Sequence, residues 1–124
     1  MTAHEILDRR VYHTGEVIFR EGESGRRCAF LVENGKVEIV KNTPSGPKVL
    51  GYIGTGGIFG EMALVDAAPR MAMAKAAETS TVVVITETQL DTRLRRSDPF
   101  IRALFNIFVK NIRDLSERII ELQK

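Results

Sequence analysis

At 124 residues, 44% hydrophobic and 27% charged, the chain is one domain's worth of sequence, long enough to bury a core unaided. The formal net charge of +2, with basic residues not massed in one tract, argues against a nucleic-acid-binding element. No run approaches the roughly 20 apolar residues of a membrane segment, and the first five residues lack a signal peptide's apolar stretch. Cys28 is the single cysteine, so no disulfide framework exists, and its apolar neighbours suit a buried, inert thiol in a cytoplasmic protein.

In chain order, residues 2–10 read as a short helix with Ile6 and Leu7 as its large apolar residues. Glycines then punctuate the chain from Gly15 to Gly60, and short runs rich in Val, Ile and Phe lie between them. Short strands at such spacing indicate an all-β sandwich or barrel. Residues 17–20, 28–33 and 36–41 are strands, and Asn34-Gly35 is expected to join the last two as a two-residue hairpin turn. Alternation places Val37 and Ile39 on one face and Glu38 on the other. Two prolines make residues 43–47 a loop. Extended structure resumes at 48–53, and residues 70–77 and 81–86 supply the last two strands.

After Thr86 the period changes. Thr86 and Gln89 fit a capping box for a short helix over 87–95. Asp98 caps a second helix with Pro99 in its first position. From there to Lys124 no Gly or Pro intervenes, which allows a helix of about 40 Å. Ile101, Phe105, Phe108, Ile112, Leu115, Ile119 and Leu122 recur at alternating spacings of four and three, a heptad seam that predicts a homodimer through this helix. Leu104 and Ile107 widen the stripe in its first half. The alternative is an amphipathic helix lying on its own domain.

The chemistry concentrates in Phe59-Gly60-Glu61-Met62-Ala63-Leu64 and the following Pro69-Arg70-Met71-Ala72-Met73. A glycine turn that enters a helical turn offers free amides to a phosphate. Arg70 adds a delocalised charge and a fork of donors, and Glu61 can accept from sugar hydroxyls. The combination suits a phosphate joined to a ribose.

FGEMAL followed by PRMAM resembles the phosphate-binding cassette of the cyclic nucleotide-binding domain family, and the resemblance extends from about Val11 to the C-terminal helix. It implies a mainly β fold with flanking helices: a jelly-roll-like β-roll over about 11–86 and C-terminal helices over about 87–124. It implies a ligand-binding set of Gly60, Glu61, Met62, Ala63, Arg70, Met71 and Ala72. Glu61 holds the ribose 2′-hydroxyl and Arg70 the cyclic phosphate. Amides near Met62, Ala63 and Ala72 supply further donors, and Gly60 brings the chain close to the sugar. The base is capped from the long helix, where Asn106, Lys110 and Arg113 are candidates.

Three positions depart from the family pattern. Met71 stands where relatives often carry Ala or Thr, and Met73 where they often carry Thr or Ser; Met71 has no hydroxyl for the guanine edge, which favours cAMP over cGMP. Arg26 stands where relatives often carry an Asp that pairs with the pocket arginine. The expected function is a cyclic nucleotide sensor that reports through its C-terminal helix. It is expected to have no catalytic residue, no metal and no cofactor beyond the ligand. The rivals are a cupin-like jelly-roll enzyme, which needs clustered imidazoles where this chain has only His4 and His13, and a non-binding assembly domain.

Overall fold

The computed structural model describes residues 7–64 and 69–122, and divides at Thr86/Glu87 into two compact units. The first holds eight strands: β1 Asp8–Tyr12, β2 Val17–Phe19, β3 Cys28–Asn34, β4 Lys36–Thr43, β5 Gly46–Gly54, β6 Ile58–Phe59, β7 Met73–Ala76 and β8 Ser80–Thr86. They form two four-stranded antiparallel sheets, ordered β1-β8-β3-β6 and β2-β7-β4-β5. A 3-10 turn, Glu61–Leu64, follows β6. The second unit holds helices α1, Glu87–Arg95, and α2, Pro99–Leu122. The chain is thus mainly β with two helices, a β-roll.

The core of the roll combines Phe19, Phe30, Val32, Val37, Phe59, Ala74, Val82 and Val84. Its three phenylalanines come from three strands, and their ring centroids lie 5.2–5.9 Å apart. β8 reads Ser-Thr-Val-Val-Val-Ile-Thr, and its β-branched run takes the sheet position between β1 and β3 where pairing on both edges rewards it. On β4, Val37 is buried and Ile39 packs against the core, as alternation predicts. A bulge then shifts the register: Ile39 faces Gly51 and Val40 faces Val49, which leaves Leu50 as the extra residue.

Three local expectations are corrected. Asn34-Gly35 is not a hairpin turn, because β3 and β4 lie in different sheets. A bulge at Glu33 turns β3 out of its ladder with β8, and Gly35, with φ +114°, carries the chain round the corner. Ser80 closes that corner. Its Oγ accepts from Lys36 N at 3.0 Å, and a Cβ on Gly35 would run into Ser80 Oγ and lie 2.7 Å from Ser80 Cα. Residues 43–47 are mostly strand. β4 continues to Thr43 and β5 resumes at Gly46, closed by Pro44-Ser45. Pro47 is tolerated because β5 is an edge strand. Residues 8–10 of the expected first helix are strand, since β1 pairs with β8 from Asp8↔Val84 to Tyr12↔Ser80. The part of that helix over residues 2–6 lies outside the described residues.

Both helices start where their caps predict. Asp98 Oδ1 accepts from Phe100 N at 2.8 Å, and Ser97 Oγ closes the end of α1 by donating to Leu94 O at 2.7 Å. Along α2, the seam residues Ile101, Phe108, Ile112 and Leu115 are exposed, and Phe105 is half-buried. The side chains of Ile119 and Leu122 lie outside the described residues. No helix among the described residues is long and apolar enough to cross a membrane.

Candidate functional site

Gly60 has φ +71°, a conformation that costs other residues steric strain, and it turns the end of β6 into the 3-10 turn. Glu61 opens that turn. Its carboxylate is exposed and has no hydrogen-bond or ion-pair partner among the described residues. The turn closes when Ala63 N donates to Gly60 O at 3.2 Å, which leaves the earlier amides of the turn outside its own ladder. Met62 is half-buried and Ala63 buried, so their side chains anchor the turn.

Arg70 is the one buried charged residue of the described chain, 8% exposed. Its Nη1 donates to Gly60 O at 2.9 Å, and Nη2 donates to Gly25 O at 3.0 Å and Cys28 O at 2.9 Å. The guanidinium carbon stands 4.2 Å from the Phe19 ring centroid and 5.6 Å from that of Phe30. Three carbonyl dipoles and two aromatic faces therefore stabilise the cation, and no carboxylate does so among the described residues. Nε is buried without a partner. An orphaned donor on a cation in a low-dielectric site favours an anion.

The guanidinium occupies the space that a side chain on Gly60 would take: a Cβ there would lie 2.6 Å from Arg70 Nη1. The absence of a side chain at Gly60 thus makes room for the arginine. The main chain of Arg70 is tied to the β2–β3 loop as well. Gly22 N donates to Arg70 O at 2.8 Å, and Arg70 N donates to Glu23 O at 2.7 Å.

The place of the missing acid is now visible. Arg26 and Arg27 both adopt left-handed backbone, φ +51° and +50°, just after Gly25. Arg26 is exposed, and Gly25 and Cys28 present their carbonyls where a loop carboxylate is expected in relatives. Cys28 is half-buried, with Sγ 3.6 Å from Arg70 Nη2.

The fold thus brings Gly60 and Arg70 into contact, with Glu61 next to Gly60 in sequence and Ala72 buried two residues after Arg70. Met71 is 72% exposed. Asn106, Lys110 and Arg113 are exposed positions of α2, in the other unit. Sequence reasoning missed Phe19, Phe30, Gly25 and Cys28 as the holders of Arg70. Backbone carbonyls and core rings carry no residue-type signature, so no sequence signal marked them. Among the described residues no three His, Cys, Asp or Glu side chains gather as a metal site requires.

Comparison with known proteins supports the same reading. Residues 9–97 match the cyclic nucleotide-binding domain family. The cyclic AMP receptor protein of Thermus thermophilus is 30% identical over 113 residues, 90% of this chain and 52% of that protein. A cAMP-dependent protein kinase regulatory subunit of Mycosarcoma maydis is 39% identical over 73 residues, 59% of this chain and 14% of that protein. The chain therefore spans about half, or much less, of these relatives' length. Among solved structures, the half-site-occupied form of the EAL enzyme Bd1971 aligns with a TM-score of 0.84 at 31% identity, over 90% of this chain and 99% of that one. The cAMP-bound and cGMP-bound forms of that enzyme align at TM-scores of 0.67 and 0.68. The family match covers nearly all of the roll and the turn that holds Arg70 and Gly60, and this chain belongs to the cyclic nucleotide-binding domain family.

Proposed function

We propose that this chain is a cAMP-preferring sensor module, without catalysis, whose ligand phosphate lies against the Gly60–Leu64 turn and Arg70. The observation that carries the reading is the buried Arg70 guanidinium with no carboxylate partner among the described residues and an unpaired Nε. The amides of the turn that precede the Ala63 N–H, with that of Ala72, add donors around the phosphate, and the carboxylate of Glu61, which has no partner among the described residues, takes the ribose 2′-hydroxyl. No protein cofactor is needed for binding. The EAL enzyme of similar fold occurs in both cAMP-bound and cGMP-bound forms, so fold alone does not choose the base. Met71 supports cAMP, because it has no hydroxyl for a guanine edge and offers polarizable apolar surface.

Titration calorimetry with cAMP, cGMP and 5′-AMP tests this. The expected order is cAMP tightest, then cGMP, with 5′-AMP weakest because its phosphate is not closed into a ring. Tighter binding of cGMP overturns the base assignment. Glu61→Gln should weaken cAMP binding by about 1–3 kcal/mol. The 2′-deoxy ligand should lose a similar amount on wild type, and that penalty should shrink in the variant. Strictly additive losses would place Glu61 away from the ribose.

The output runs through α2. Exposed Ile101, Phe108, Ile112 and Leu115 on one heptad seam support a parallel homodimer, with cytoplasmic cyclic nucleotide as the effector. The receptor and kinase-subunit names of the relatives agree with a regulatory role.

A further inference from the structure

The segment after Arg70 is gripped by side chains that the family pattern does not include. Lys41, on β4, donates from Nζ to Met71 O at 2.7 Å. The same Nζ pairs with Glu21 Oε2 at 3.3 Å, and Glu21 Oε1 accepts from Asn42 N at 3.0 Å. Glu21 is half-buried in the turn after β2, and its carboxyl is held below the usual range, first by the Asn42 amide and then by Lys41. The four groups form one chain from the β4 backbone to the cassette backbone: Asn42 N–H, Glu21 carboxylate, Lys41 ammonium, Met71 carbonyl.

The Met71 carbonyl and the Ala72 N–H belong to the same peptide plane. In a trans peptide they point in opposite directions, and no peptide among the described residues is cis. Holding Met71 O on one side therefore aims Ala72 N–H to the other. Ala72 precedes β7, is 9% exposed, and its N–H donates to none of the turn and loop carbonyls described. A buried amide left without a partner costs free energy unless a ligand or water completes it. We propose that Lys41 is a positioning residue, with Glu21 as its brace, that orients the Ala72 amide toward the ligand phosphate. This deepens the reading above and rests on it.

The mechanism is orientational. Lys41 reaches the far side of the peptide from the proposed phosphate, so it adds little direct attraction to the anion. Its loss frees the 71–72 peptide to rotate and removes the preorganisation of one donor. Glu21 limits where Lys41 can reach, and Asn42 limits Glu21.

The test is titration of the intact chain with cAMP in wild type, Lys41→Met, Lys41→Arg and Glu21→Gln. Thermal unfolding and the Ala72 amide 1H–15N signal are followed in parallel. Lys41→Met should weaken binding about five- to tenfold, the scale of one well-placed hydrogen bond, and should displace the Ala72 signal in the ligand-free chain. Lys41→Arg should stay within about twofold of wild type, because its fork still reaches Met71 O and Glu21. Combining Lys41→Met with Glu21→Gln should add little further loss, since Glu21 acts through Lys41. Unchanged affinity in Lys41→Met overturns the proposal. So does a loss that follows thermal stability and leaves the Ala72 signal in place, because that is a purely structural role. If wild type binds no cyclic nucleotide, the functional reading fails and the positioning role falls with it. If wild type binds and Lys41→Met binds equally, the positioning role alone is lost.

Discussion

The guanidinium of Arg70 ties Gly60, Gly25 and Cys28 together through three of its donors, and the ligand phosphate we propose would give it a second task. Removing the side chain strands three carbonyls beside Phe19 and Phe30. Arg70→Ala should lower stability by about 2–4 kcal/mol in urea unfolding and also lose ligand binding. Arg70→Lys should recover part of the binding and less of the stability, since one ammonium cannot span the three carbonyls. Wild-type stability in Arg70→Ala would mean that the carbonyls are satisfied without it.

Glu21 supplies a pH signature at the same scale. Its folded carboxyl titrates below its ordinary value of 4.5, so the ionised form is favoured by folding. That contribution is complete above the unfolded value and is lost as pH falls through the lower, folded one. Thermal melts from about pH 6 to about pH 3 should show wild type and Glu21→Gln converging at the acid end. A constant difference would mean that the carboxylate charge is not what Asn42 and Lys41 hold.

At the scale of elements, the decisive feature is the corner at Gly35, where the chain leaves one sheet for the other. It sets β3 against β8 and β4 against β5 and β7, and so brings the ends of β2, β3 and β6 together around Arg70. Gly35 has positive φ, and a Cβ there would run into Ser80, which is itself buried and bonded to the Lys36 backbone. Gly35→Ala should therefore destabilise by about 2–4 kcal/mol, from the left-handed backbone and the clash together. A tight hairpin turn would tolerate the change far better. Chemical denaturation separates the two, and a loss under about 0.5 kcal/mol would remove the corner as a constraint.

For the whole molecule, the question is what covers α2. Ile112 and Leu115 are 41% and 57% exposed, and apolar side chains at heptad spacing gain by burial against a second copy. Leu115→Glu places like charges opposite each other in such a seam. Sedimentation should find wild type as a dimer whose affinity changes with cAMP, and Leu115→Glu as a monomer with a stable roll. By linkage, dimer formation must then alter cAMP affinity by the same factor. A wild-type monomer at high micromolar concentration, with and without cAMP, would make the stripe a docking face for another partner.

Residue type and spacing by themselves determined the strand-rich class, where both helices start and the short helical turn after Gly60, and they suggested the phosphate site we propose at the FGEMAL and PRMAM runs. These are local properties: φ preferences, capping side chains and periodicity act over a few neighbours. Tertiary structure alone decided that Asn34-Gly35 is a corner, that residues 8–10 are a strand, and that carbonyls and rings hold Arg70. Each of these depends on partners far along the chain, on Val84 for Asp8, Ser80 for Gly35 and Gly25 for Arg70. The backbone groups among those partners are the same in every residue, so nothing in the order of side chains marks them. Only folding brings them within hydrogen-bonding distance.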